Sequence, residues 1–421
     1  MHPSSIPLPM PEPAAATVGQ GTRGGLLLAA AMLLTMPLVA FQGPAHTTPM
    51  DAANVLFLAV SWMLILARRE PITFPLALPF WVMMVASVVA LYTADYRARA
   101  ALVIGVDVYL YLWFVTLAHF LARRCDLGRV AELWTAVACV VALLTLGDAY
   151  LGLAGGRFAA TSRATGTFDS PNMFGDYLVV SFFVAWAAAA AGQRRLLYLG
   201  LPVLFAGMRS TASNGALVSL LGGCAAMAVA SPWLWRPRTL GTLLVTAGMV
   251  VAVVGIWHTE LEDLATRRLS GGRTEVGGAA LKGASERLPV WQTGLQFVFE
   301  TPTGIGPGNF SLVNAVETGD YHGAHNEYIG MLVERGPLGL LGWLGVLASV
   351  AAMVFQIRRG ARAGFAPLGV LPLFGLVGAI AAHALVIELS HFRHFWMVLA
   401  VVAALAVQAR AAMADTERSV A

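Results

Sequence analysis

Apolar and polar positions alternate along this chain in long blocks. Apolar runs of about 17–25 residues, the length that crosses a bilayer core, begin near Gly25, Ala53, Pro75, Ala100, Val130, Phe174, Leu196, Gly215, Thr239, Pro337, Pro367 and Phe395. They predict an all-α, polytopic transmembrane helical bundle of about twelve spans. Most connections are short, which makes neighbouring helices antiparallel. Longer polar intervals run from Arg157 to Asn172, from Arg209 to Asn214 and, longest of all, from His258 to Asn326. The expected organisation is a cytoplasmic tail over 1–24 and a transmembrane region of about nine spans over 25–257. A large outer loop over 258–326, about three more spans over 327–410 and a cytoplasmic tail over 411–421 complete it.

Inside the long loop, residues 261, 264, 265 and 269 are apolar, which suits a helix lying at the interface between Glu260 and Leu269. The glycine-rich stretch 271–284 reads as mobile. A second helix is predicted from Pro289, tolerated in the first turn, to Glu300, with Thr301-Pro302 stopping it. The turn Gly304-Ile305-Gly306-Pro307-Gly308 follows a helix rather than a strand, and Pro307 removes an N–H that an anion nest would use. Its expected role is to fold the loop back and bring Arg287 toward His325. Glu334-Arg335-Gly336-Pro337 predicts a break at the membrane boundary, with Glu334 paired to an arginine.

Composition agrees with the pattern. Of 421 residues, 58% are hydrophobic and 12% charged, about half the charged fraction of a soluble domain. That excludes the soluble class. With the N-terminus in the cytoplasm, the inside loops hold Arg68-Arg69, Arg123-Arg124-Arg129, Arg194-Arg195, Arg236-Arg238, Arg358-Arg359-Arg362 and Arg410 with Arg418. This is the positive-inside arrangement, and it puts both termini in the cytoplasm. The basic balance reflects topology and does not point to nucleic acid. Three cysteines, Cys125, Cys139 and Cys224, fall in spans or a cytoplasmic loop, so no disulfide framework is expected.

Arginine dominates the predicted outer face: Arg97, Arg99, Arg157, Arg163, Arg209, Arg267, Arg268, Arg273, Arg287, Arg335 and Arg393, with Lys282 the one lysine. A guanidinium grips phosphate bidentately and stays charged. Headgroup contact explains some of these arginines. Arg163, Arg209 and Arg287 sit in polar motifs and suit a phosphorylated, lipid-linked substrate. His322 and His325 are three apart and would share a face if their helix starts early. An imidazole accepts a proton near neutral pH, so His325, followed by Asn326, Glu327 and Tyr328, is the candidate general base. Two interfacial histidines capping the next helix are the bland alternative. A zinc site would want a third ligand, and no H-E-x-x-H pattern is present. Neither a metal nor a cofactor is expected. Asp107, His119, Asp148 and His383 fall within spans, and Glu388, His391, Arg393 and His394 cluster at the outer end of the last two.

These motifs resemble the O-antigen ligase and polymerase superfamily. The resemblance rests on Arg287 with Trp291, Gly304 to Phe310, His325-Asn326-Glu327-Tyr328, Glu334 with Gly336 and Gly339, and the upstream loops Arg163 to Asn172 and Arg209 to Gly215. Where the family more often has Ser-Arg-Gly, this chain has Ser213-Asn214-Gly215, with Arg209 upstream. The resemblance implies a GT-C-like inverting glycosyltransferase of the bacterial inner membrane that needs no metal. It would take a glycan from undecaprenyl diphosphate at the periplasmic face, with lipid A–core or another lipid-linked glycan as acceptor. It also implies His325 as base and Arg287 as the leaving-group residue. Arg163, Arg209, His322, Asn326, Glu327 and Arg393 would bind substrate. A transporter or flippase for an anionic solute, or a structural subunit of an assembly complex, are the other classes the residues allow.

Overall fold

The structure, a computed structural model, describes residues 23–39, 48–158, 163–191, 198–231, 278–318 and 323–420. The predicted span near Thr239 and the interfacial helix at 260–269 lie outside these residues. Thirteen helices and no strand occur among the described residues. They are α1 (Arg23–Thr35), α2 (Pro49–Arg68), α3 (Ala77–Thr93), α4 (Arg97–Arg124), α5 (Leu127–Leu151), α6 (Pro171–Ala190), α7 (Gly200–Ser210), α8 (Asn214–Ala230), α9 (Gly278–Glu300), α10 (Phe310–Thr318), α11 (Glu327–Arg362), α12 (Val370–His383) and α13 (Arg393–Val420). Six, namely α2, α4, α5, α6, α11 and α13, are long and apolar enough to cross a membrane, and α1, α3, α8 and α12 are shorter apolar helices.

Local chemistry sets many of the starts. Thr48 and Asp51 form a reciprocal capping box before α2, and Ser170, Ser213 and Asn326 cap α6, α8 and α11 with their side-chain oxygens. Trp113, Trp134 and Trp343 are fully buried between helices, whereas Val55, Leu56, Met63 and Leu66 on α2 face outward. Large apolar side chains on both the inside and the outside are what a bilayer solvent demands. The shorter helices pack through small residues: a Cβ on Gly378 of α12 would lie 2.7 Å from the Gly222 carbonyl of α8.

Contacts at each end of the bundle show the helices running antiparallel. At one end, Thr93 donates to the Gly304 carbonyl (2.6 Å), Arg393 clasps Asp51 and the Glu327 N–H bonds the Ala384 carbonyl (2.8 Å). At the other, Glu70 takes His119 (3.0 Å) and Arg124 (2.6 Å), and Gln408 donates to the Ala122 carbonyl. The first end gathers the chemistry.

Two expectations for the polar segment are corrected. Helix α9 begins at Gly278, eleven residues before the predicted start at Pro289, which now lies inside it. Ala279, Ala280, Leu281 and Lys282 are strong helix formers and outweigh the flanking glycines. The second concerns His325, which lies on no helical face. It has φ 44, in the turn ahead of α11.

The predicted break after Arg335 is present. Gly336 has φ 67 and ψ −174 inside α11, and a Cβ there would lie 2.5 Å from the Pro302 carbonyl oxygen. Only glycine fits that conformation and approach.

Candidate active site

The glycine turn is built around Glu334, not around a ligand. Ile305 and Gly306 donate their N–H groups to the carbonyls of Val333 and Glu334 (3.0 Å each), and the Glu334 carboxylate accepts from the N–H of Gly308 (2.8 Å) and Phe310 (3.2 Å). The anion held by this turn is therefore a side chain of the chain itself. Glu334 was expected to pair with an arginine, and backbone N–H groups take that place. The neighbouring Arg335 instead reaches two other helices, bonding Asp107 of α4 (2.7 Å) and Ser87 of α3 (2.9 Å), with His391 on the other Asp107 oxygen at 3.3 Å. Arg335 and Asp107 are both buried.

This turn anchors α9 and α10 against the start of α11. Val290, Ile305, Phe310, Val313, Ala324 and Val333 form a small apolar core of their own. The Trp291 indole donates to the Ala324 carbonyl (2.7 Å), beside His325. Arg287 lies four residues, one helical turn, before Trp291 and so faces the same side of α9. Among the described residues the Arg287 side chain makes no hydrogen bond or ion pair, and it is half-buried.

The two upstream motifs meet each other. Ala164 donates to the Ser210 carbonyl (2.9 Å), and Arg163 bonds the Thr211 carbonyl (3.1 Å) and Asn172 (2.7 Å), whose same oxygen accepts from Ser213 (3.0 Å). Burial pushes the Arg163 guanidinium below its usual range, and the neighbouring positive charge of Arg287 adds to the depression. Burial lowers Arg287 likewise. Segments more than a hundred residues apart thus bring Arg163 within the electrostatic reach of Arg287. An anion with several oxygens placed between them turns that repulsion into attraction.

The remaining predicted residues take differing places. Arg209 is exposed in the last turn of α7, two residues from the carbonyl that Arg163 holds. Asn326 is the N-cap of α11, its side chain accepting from Ile329 (3.1 Å). Glu327 is buried, and its carboxylate accepts the N–H groups of Leu389 and Ser390, pinning the 384–392 loop. Arg393 binds Asp51 through three hydrogen bonds of 2.8–3.0 Å. His322 lies outside the described residues.

Sequence reasoning missed a buried node beneath the site. Asp176 of α6 bonds His383 through one oxygen and His394 through the other (2.7 Å), all three nearly inaccessible. The two histidines were noticed separately; Asp176, a lone acid in an apolar helix, was the unused signal.

Residues 199–344 match the family model described as O-Antigen ligase, a span that includes Arg209, Arg287, the glycine turn and His325. Arg163, Glu388 and Arg393 lie outside the matched span. No curated protein matches the chain. Over residues 199–344 the chain is thus similar to the O-Antigen ligase family.

Proposed function

We propose that this protein transfers a glycan from undecaprenyl diphosphate to a sugar hydroxyl of lipid A–core, at the periplasmic face of the bacterial inner membrane. The approach of Arg163 to Arg287 beside the His325 turn carries this reading. Both termini are then cytoplasmic, and the bundle is a GT-C-like assembly of about twelve spans. The arginine-rich opposite end, with Arg68, Arg123, Arg124 and Arg358, supports that orientation.

In the reaction, the acceptor O–H gives its proton to the His325 imidazole as its oxygen attacks the anomeric carbon from the face opposite the leaving group. The bond from that carbon to the diphosphate oxygen breaks, and its electron pair leaves with undecaprenyl diphosphate. Arg287 and Arg163 take up the charge that develops there, the role magnesium plays in many transferases. Arg209, two residues before the Thr211 whose carbonyl Arg163 holds, would support the diphosphate. The configuration at carbon inverts, and no metal is required.

Purified protein supplied with lipid-linked donor and lipid A–core should form the conjugate, and His325→Ala should slow transfer by about 10²–10⁴-fold. Wild-type rates in that variant would remove His325 from the chemistry. A deletion strain should accumulate full-length polymer unattached to lipid A–core. Single-repeat caps would instead identify a polymerase that passes the glycan to another lipid-linked repeat. Solute movement across vesicles without any transfer would favour a transporter.

A further inference from the structure

The proposed base, His325, is held in a backbone conformation that few residues other than glycine adopt, with φ 44. Something must hold it there. The Glu388 carboxylate, on the loop between α12 and α13, accepts the backbone N–H of His325. One of its oxygens lies over the same turn, 3.2 Å from where a Cβ on Gly323 would stand and 3.7 Å from that of Gly330. The loop carrying Glu388 is itself fixed on both sides. Glu327 accepts the N–H groups of Leu389 and Ser390, and the Ala384 carbonyl accepts the Glu327 N–H.

We propose that Glu388 is a positioning residue: its ionised carboxylate holds the His325 turn in the geometry that places the imidazole against the acceptor hydroxyl. The inference rests on the role of His325 proposed above. It adds a residue outside the matched family span and gives the site a dependence on the charge of that carboxylate.

The surroundings set the pH at which the hold is made. Burial and the nearby carboxylates of Glu334 and Glu327 push Glu388 up to about 7, against the opposing pull of His391 and the His325 N–H. The facing groups are therefore Glu327 and Glu334 from α11, His391 from its own loop and His325 from the turn. Glu388 is ionised above about pH 7, and the stronger, charge-assisted bond is present there. As pH falls through 7 the carboxyl becomes neutral and the hold weakens.

Two variants and two readouts test this. Glu388→Ala should lower the transfer rate by about 10²-fold through misplacement of the imidazole, without a matching change in donor KM. Glu388→Gln keeps an acceptor oxygen, so it should restore most of the rate and lessen the fall in transfer that the wild type shows below pH 7, leaving the part that protonation of an imidazole base causes. Independently of transfer, hydrogen exchange of a peptide covering 323–330, corrected for intrinsic rates, should show protection that falls with pH in the wild type. That protection should be pH-independent in Glu388→Gln and lost at every pH in Glu388→Ala. If protection behaves this way but the wild type transfers no glycan, the function fails and the positioning stands. Wild-type transfer and protection in Glu388→Ala would overturn the proposal. So would equal losses of rate and melting temperature in both variants.

Discussion

Arg335 and Arg287 stand at the same end of the bundle, and the chain uses them in opposite ways. Arg335 is buried, and Asp107 and Ser87 answer its guanidinium from two other helices, with His391 completing the node. Arg287 is half-buried, and its positive charge bears on another arginine, Arg163. A buried charge that is already paired ties helices together and is closed off from a ligand. Two like charges brought together by separate segments make sense when an anion joins them. The glycine turn repeats the lesson, since Glu334 occupies the nest that a phosphate would need.

The sharpest way to break this contrast is to remove Arg335. Arg335→Met leaves Asp107 buried beside the half-exposed His391, and should cost about 3–5 kcal/mol of stability. The expected outcome is a large fall in melting temperature of the detergent-solubilised protein, with activity lost as a consequence. An unchanged melting temperature would show that the pair is no scaffold.

Glu334→Gln should act more mildly, about 1–3 kcal/mol, because the amide keeps one acceptor but loses the charge that draws two N–H groups. Its measurable sign is faster exchange of the amides in 304–310. Arg393→Ala should be smallest of the three, about 1 kcal/mol or less, since the Asp51 pair is partly solvated. If transfer falls and melting does not, Arg393 belongs with Arg287; if melting falls slightly and transfer follows it, Arg393 belongs with Arg335.

The sequence showed the elements well and their partners poorly. Apolar runs located α2, α4, α5, α6, α11 and α13, because a bilayer imposes length and composition on each helix by itself. The Gly336 break was legible from Gly-Pro following Glu-Arg. Asn326 was legible as a cap from its place before an apolar run, and that should have shown that His325 precedes the helix. The Asp107–Arg335 and Asp176–His383 pairs join residues more than two hundred positions apart. Their spacing carries no signal in one chain, since pairing depends on which helices pack together. The early start of α9 was hidden because glycines argued against the alanines beside them.

In the proposed reaction Arg287 and Arg163 hold the leaving diphosphate of the glycan donor. Single-turnover transfer from undecaprenyl diphosphate-linked glycan, measured alongside melting temperature, tests it most directly. Arg287→Ala and Arg163→Ala should each lose about 10²–10³-fold in rate at unchanged melting temperature. Arg287→Lys should recover little of that loss, because an ammonium lacks the bidentate fork. Wild-type transfer in both alanine variants would contradict the account.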